Sequence, residues 1–362
     1  MRIAILGGGN GSLAAAADFT EAGHDTRLWR RDQAEVTKHN ALDGHIAIRD
    51  AKGNRTVQVP MITNDLAQAM DQAELVFCPV PAHAHADLAL RIAPHLMPGQ
   101  VVFLPPGTLG SILFDNAAKA VGTAEGVAFA ETGTLPWLVR KHDFAEIVIS
   151  TRAVRLPVGV FPQNRSDVVC KIIECAFPGV IEPCGDVLSG ALMNAGPIIH
   201  PPLIIMNAGP LEHFEQWDIH NEGTQPAIRR VTDQLDAERI AVREAFGYGA
   251  PHFPLVDHYR DDGDMWMYDR ASRANLVSSG DWREDIVLTE HRYMLEDLRL
   301  GLSLLWSLAV LAKVDAPIAR GLLALGSAIC KEDFLATGRT LQSLGLGRLS
   351  KSDLRSYLET GF

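Results

Sequence analysis

Lysine is scarce in this chain. Of the 33 basic residues among 362, eight are lysine and 25 arginine, and no lysine lies between Ile172 and Ala312, a run of 141 residues. Whatever chemistry that run performs, a lysine cannot be its acid. Cysteine is sparse too: Cys78, Cys170, Cys175, Cys184 and Cys330 form no CxxC pair. A disulfide framework is excluded, and small buried thiols in a reducing, cytoplasmic compartment are expected. A basic face is also missing. The formal net charge of −11 argues against nucleic acid, which needs cations to displace its counterions. No signal peptide is expected, because Met1-Arg2 runs straight into a strand-like Ile3-Ala4-Ile5-Leu6.

Charge of either sign vanishes from Val187 to Leu211, 25 residues without Asp, Glu, Lys or Arg. That is long enough to span a bilayer. Asn194, His200, Asn207 and four prolines interrupt it, and lipid would leave such groups unsatisfied. The segment reads as a buried core helix, with no membrane partner expected.

What remains is globular: 47% hydrophobic and 21% charged residues, at a length that calls for two domains. In the first half, strands at Ile3–Leu6, Thr26–Trp29, Leu75–Val80, Val101–Leu104, Val127–Glu131, Ile147–Ser150 and Val154–Val160 alternate with helical patterns. Ile46–Arg49 and Thr56–Val59 form an inserted hairpin. After Gly185 strand patterns all but vanish, and helices are expected at Val187–Glu212, Ala227–Phe246, Leu288–Lys313 and Pro317–Lys331. The expected fold is an α/β Rossmann-type, doubly wound sheet domain over 1–184, followed by an all-α domain over 185–362. The irregular segment 247–286 is long enough to be a binding loop.

Three places carry chemistry. The first is G-x-G-x-x-G at Gly7, Gly9 and Ser12, after a strand and before a helix. Gly7 allows the tight turn and Gly9 the approach of a pyrophosphate, while Asn10, Gly11 and Ser12 open a helix whose N–H groups face the phosphates. At the end of the second strand, where an NAD site usually places an acid, stands Trp29-Arg30-Arg31-Asp32. Arg30 and Arg31 suit a 2′-phosphate, so NADP is expected ahead of NAD. The alternative is a solvated pair of arginines, with Asp32 on the ribose.

The second place is His200, followed at once by Pro201 and Pro202, where a kinked helix is expected; Asn207 lies two turns on. His200 is either a general acid/base or a core histidine. The third is His291-Arg292-Tyr293 with Glu296-Asp297. Arg292 and Glu296 make an i,i+4 pair, and Asp297 could orient an imidazole. His83-Ala84-His85 lacks a third ligand at metal spacing, so no metal is expected.

Together, the Gly7–Ser12 loop, Val80-Pro81-Ala82, Pro106-Gly107-Thr108, the Asn194–Pro201 run, Glu222-Gly223, Asp236-Ala237-Glu238-Arg239, Arg292-Tyr293, Glu296-Asp297 and Gly338-Arg339-Thr340-Leu341 resemble the octopine/nopaline (opine) dehydrogenase family. The likeness covers essentially the whole chain. It implies reduction by NAD(P)H of the imine of an amino acid (or amine) and a 2-oxo acid. His200 would be the general acid/base, Asp297 would fix its tautomer, and Arg292 would hold a substrate carboxylate. Thr132 and Asn207 are further substrate-binding candidates, and the nicotinamide would lie near Val80, Pro81 and Gly107. A bacterial member of the family carries an acid where this chain has Arg30, so an NAD preference is not implied.

Small-molecule substrates and a homodimer are the expected partners. Arg260, Arg270 and Arg273 are further candidates to hold an anionic substrate. A rival 2-oxo acid reductase using the same His-Asp pair stays open. Reductases of the ketopantoate or glycerol-3-phosphate type place an essential lysine in the helical domain, within the stretch from Ile172 to Ala312 that has none here; only Lys313, Lys331 and Lys351 follow it. A dinucleotide sensor without catalysis would need neither His200 nor Asp297.

Overall fold

The computed structural model describes residues 1–260, 262–270 and 285–362; Arg273 lies outside the described residues. Two compact units divide the chain: Met1–Ala191 with Leu358–Gly361, and Leu192–Tyr357 with Phe362.

The first unit holds twelve strands: β1 (Arg2–Leu6), β2 (Asp25–Trp29), β3 (His45–Asp50), β4 (Gly53–Gln58), β5 (Met61–Thr63), β6 (Leu75–Phe77), β7 (Val101–Leu104), β8 (Ala128–Thr132), β9 (Trp137–Asp143), β10 (Glu146–Arg152), β11 (Leu156–Phe161) and β12 (Ile181–Asp186). Eight form one sheet in the order β12-β11-β8-β7-β6-β1-β2-β5. All neighbours are parallel except β8 and β11. Ile3–Leu6 and Leu75–Phe77 are fully buried, as the central strands of a sheet covered on both faces must be. Chain order reverses at β1, which has β2 on one side and β6 on the other. The carboxyl ends of β1 and β6 are therefore the topological switch point, where such sheets bind ligands.

The expected hairpin is β3–β4, turning at Gly53 (φ +97°). It joins β10 and β9 in a second sheet. Three strands were not legible. β5 spans three residues, β9 ends in the charged Arg140-Lys141-His142-Asp143, and β12 contains Pro183 and Gly185, which read as a loop. The boundary expected at 184/185 consequently falls inside β12. That strand pairs with β11, and the helix Val187–Ala191 packs on β8, β11 and β12, which carries the sheet unit on to Ala191.

Every described element wholly inside the second unit is helical. The single helix expected over Val187–Glu212 is three pieces: Val187–Ala191, Gly196–Met206 and Ala208–His213. Pro201 and Pro202 lie within the second piece without ending it. The break comes earlier, at Asn194, whose Oδ1 accepts from the Gly196 N–H at 3.0 Å, a local bond that competes with the helix. The stretch Val187–Met206 is apolar and long enough to cross a membrane, and 72% of its most apolar 18 residues are buried in protein. The helix expected at Leu288–Lys313 begins as a π-helical stretch, Tyr293–Leu302, and continues as the α-helix Ser303–Ala312.

Candidate active site

In the sheet unit, β1 ends at Gly7 and the helix Asn10–Glu21 starts from Gly9, with no side chain capping it. Its first N–H groups thus point out of the helix at its positive end. The Asn10 Oδ1 accepts from Lys141 N at 3.0 Å. Arg30 lies across the loop, and a Cβ on Gly8 would meet its Nε at 2.3 Å. The Arg30 guanidinium bonds Glu35 Oε2 and His39 Nε2, each at 2.7 Å. Burial, with Arg30 and Lys141 nearby, holds His39 down at about 4, so at neutral pH it accepts rather than repels. Arg30, Lys38 and Lys141 all approach the Phe144 ring, at 5.7, 5.5 and 5.1 Å. Arg31 is exposed. Asp32, the alternative ribose ligand, instead caps the helix Gln33–Asn40 by accepting from Ala34 N.

Val80 is half-buried and Pro81 exposed beyond β6. Past β7 the chain turns through Gly107, then Thr108 (φ 51°) and Leu109 (φ 57°). Two successive side-chain-bearing residues in the left-handed region are strained and need external fixing. Glu131 supplies it: fully buried at the end of β8, its carboxylate accepts from Leu109 N and Ser111 N, both at 2.8 Å. A Cβ on Gly107 would meet that carboxyl carbon at 2.1 Å. Sequence reasoning passed over Glu131; its signal was an acid closing an otherwise apolar strand. Beside it, Thr132 Oγ1 is buried with no hydrogen-bond partner, as are Ser111 Oγ and Ser12 Oγ, among the described residues.

In the helical unit, His200 Nδ1 lies 2.7 Å from Asp297 Oδ2, 97 residues away in sequence. With the Nδ1–H donating to the carboxylate, Nε2 is the atom placed to exchange protons. Desolvation pushes the Asp297 carboxyl up to about 7, although Arg292 and His291 pull the other way. Tyr293 stacks on the imidazole, with centroids 3.7 Å apart and planes 10° from parallel. The phenol is held in turn by His220 Nε2 at 2.8 Å. A Cβ on Gly196 would sit 2.2 Å from Asp297 Oδ1, so only glycine lets the two helices approach closely enough to form the pair. Neither Tyr293 nor His220 was singled out as a partner of His200; the stacking depends on the π-helical stretch.

Arg292 is exposed, its guanidinium carbon 5.2 Å from the Tyr293 ring centroid. It shares the dyad's surroundings, close enough to act on the Asp297 carboxyl. Asn207 does not: its Nδ2 donates to Leu203 O and Gly223 O, and its Oδ1 accepts from Trp217. With its amide consumed inside the protein, Asn207 is a strut and not a substrate ligand. Arg270 donates to Gly263 O. The Asp236–Arg239 motif is framework as well. Arg239 pairs with Asp236 and donates to Leu192 O, while Glu238 accepts from Ile318 N and Ala319 N at the start of the helix Pro317–Cys330. Among the described residues, no cluster of three or more His, Cys, Asp or Glu could hold a metal.

Residues 183–330 match the alpha-helical domain of NAD/NADP octopine/nopaline dehydrogenase. Residues 2–104 match the N-terminus of NAD-dependent glycerol-3-phosphate dehydrogenase. Over 361 residues the chain is 27% identical to an opine dehydrogenase of Arthrobacter sp. (strain 1C), covering 98% of each. Among solved structures, octopine dehydrogenase in complex with NADH and agmatine aligns with a TM-score of 0.74 at 16% identity, over 99% of this chain and 98% of that one. Yersinopine dehydrogenase bound to NADP+ aligns at 0.68 and 16%, over 99% and 98%. At such identities the structural likeness shows the fold. With both His200 and Asp297 inside the matched helical domain and relatives aligned end to end, residues 183–330 carry the helical domain of octopine/nopaline dehydrogenase and the chain as a whole is similar to the opine dehydrogenases, which are NAD(P)-dependent oxidoreductases.

Proposed function

We propose that this enzyme reduces the imine formed by an amino acid (or amine) and a 2-oxo acid to a secondary amine dicarboxylate, runs the reverse reaction, and prefers NADPH. The observation that carries the reading is the His200–Asp297 pair, an imidazole with a fixed tautomer inside a run of 141 residues without lysine. When bound, the nicotinamide supplies a hydride to the imine carbon. His200 Nε2 delivers one proton to the imine nitrogen, so C=N becomes CH–NH. In reverse, the same atom takes that proton back. Asp297 stabilises the imidazolium, and Arg292 offers a forked cation to a substrate carboxylate.

The sheet unit suits a dinucleotide. The uncapped helix start, the orphaned Ser12 Oγ beneath it and the switch-point position support a pyrophosphate site at Gly7–Ser12. Gly107–Leu109, with Thr132 Oγ1 alongside, would receive the nicotinamide. Three cations gathered on Phe144 and offset by Glu35 support a 2′-phosphate. The same reading takes the enzyme as a cytoplasmic homodimer. Sedimentation velocity tests the assembly.

Following NADPH oxidation with a panel of 2-oxo acids, with and without amino acids, tests the reaction. Turnover should require both substrates. Oxo acids reduced without any amine would instead make the enzyme a carbonyl reductase. For the cofactor, Arg30→Asp should shift the NADPH-to-NADH ratio of kcat/KM toward NADH by about 10-fold or more, the scale of a lost charge-assisted contact. Because Arg30 is buried, Lys141→Met serves as a milder second variant. Unaltered NADPH affinity in both would sink the assignment.

A further inference from the structure

A cleft of about 240 Å³ opens within the helical unit, among the helices Gly196–Met206, Pro226–Ala245 and Leu255–Tyr259. Ile199, Leu203 and Tyr259 wall it, with Thr224, Arg229 and Arg260 alongside. Apolar sides with a few charged groups are the make-up of a small-molecule site. The Arg229 guanidinium carbon stands 4.9 Å from the Tyr259 ring centroid, a stacking that fixes its plane and leaves its edge donors to point elsewhere. Asp233 lines the same cleft. Even so, among the described residues neither arginine has a carboxylate within ion-pair reach. Asp257 feels Arg260 at longer range, so the cleft is not purely cationic; what it offers an anion is two guanidinium groups with no carboxylate bonded to them.

The cleft shares a helix with the imidazole. Ile199 precedes His200 and Leu203 follows it by three residues, so the helix that presents the catalytic ring also lines the cleft. The turn beyond connects them again. His220 lies edge-on to His200 with centroids 5.9 Å apart, and Thr224 is four residues on.

We infer that this cleft receives the far end of the amino donor, and that Arg229 and Arg260 select a donor bearing a second carboxylate on an apolar stem. The inference rests on the imine-reducing reading above. At roughly 30 Å³ per water-sized group, the cleft has room for a side chain such as that of 2-aminoadipate. Thr224 already donates its hydroxyl to Ile219 O at 3.1 Å, which leaves the discrimination to the arginines.

The test compares 2-aminoadipate with norleucine, whose stem ends in a methyl group, each with pyruvate and NADPH. The wild-type enzyme should favour 2-aminoadipate through KM. The double variant Arg229→Met/Arg260→Met should lose that preference by about 10-fold or more, and Arg229→Lys should keep part of it. If the double variant fails to fold, Arg260→Met alone, at an exposed position, reports the same ratio. An unchanged ratio overturns the inference.

Calorimetric titration of adipate into the NADPH-bound enzyme reads the site apart from turnover. If no oxo acid and amine pair is turned over, the imine reading fails. Adipate affinity that falls in the double variant then still upholds a carboxylate site here, and equal affinity removes it. Adipate that binds without competing against 2-aminoadipate would mark a separate effector site, overturning the assignment to the donor.

Discussion

Asp297→Asn should yield an enzyme that is more stable at alkaline pH and nearly inactive. The carboxyl is 7% exposed and titrates near 7 in place of its ordinary 3.8. Between those values the folded protein holds a proton that the unfolded chain has released. The residue's contribution to stability is therefore full below about pH 4 and is lost as pH rises through 7. About three pKa units at about 1.4 kcal/mol each set an upper bound of about 4 kcal/mol, reduced by whatever the imidazole returns to the charged form. Asparagine removes that penalty, so urea unfolding should show a gain at pH 8 that shrinks toward pH 4. Activity should move the other way, falling by about 10² to 10⁴, because an amide can face Nδ1 with its N–H and leave the proton on the wrong nitrogen. A stability difference independent of pH would show that Asp297 is not held in a raised state.

His200→Ala should lower turnover by about 10² or more, the usual worth of a positioned acid/base. NADPH affinity, read by fluorescence, should stay at the wild-type value, since the dinucleotide's candidate ligands belong to the sheet unit. Turnover that survives the substitution would take the imidazole out of the mechanism and return His200 to the role of a core residue.

Much of this was written in local pattern. Ile3–Leu6 and Val101–Leu104 are unbroken apolar runs and are strands; the glycine loop lies between a strand and a helix as its spacing requires. Elements whose pattern contradicts their place were not legible. β12 is held in its sheet by β11 despite Pro183 and Gly185, and the π-helical turn leaves no mark on apolar spacing. At the site, the His200–Asp297 pair joins positions 97 residues apart, and local sequence left His200 open between catalysis and core. Only the family resemblance joined the two. Arg30 was legible as a cation at a strand end. Its bonds to Glu35 and His39 were not, because they depend on a helix folding back beside the strand. Asn207 misled for the converse reason. Spacing places a polar group on a face, yet only the fold reveals that Leu203, Gly223 and Trp217 have already used it.

The π-helical stretch makes residue count, as well as residue identity, a determinant of the site. Its hydrogen bonds span one residue more than those of an α-helix. Wound as an α-helix with no residue removed, the segment would keep its hydrogen bonds but lose the extra residue held within its turn. Everything upstream would then turn by about 100° relative to the downstream face, where Leu298 is buried and Gly301 lies against Pro197. Arg292 and Tyr293 would swing off the imidazole although no catalytic residue had changed. A chain that kept every functional side chain but wound this stretch as an ordinary helix would be a different protein at its centre.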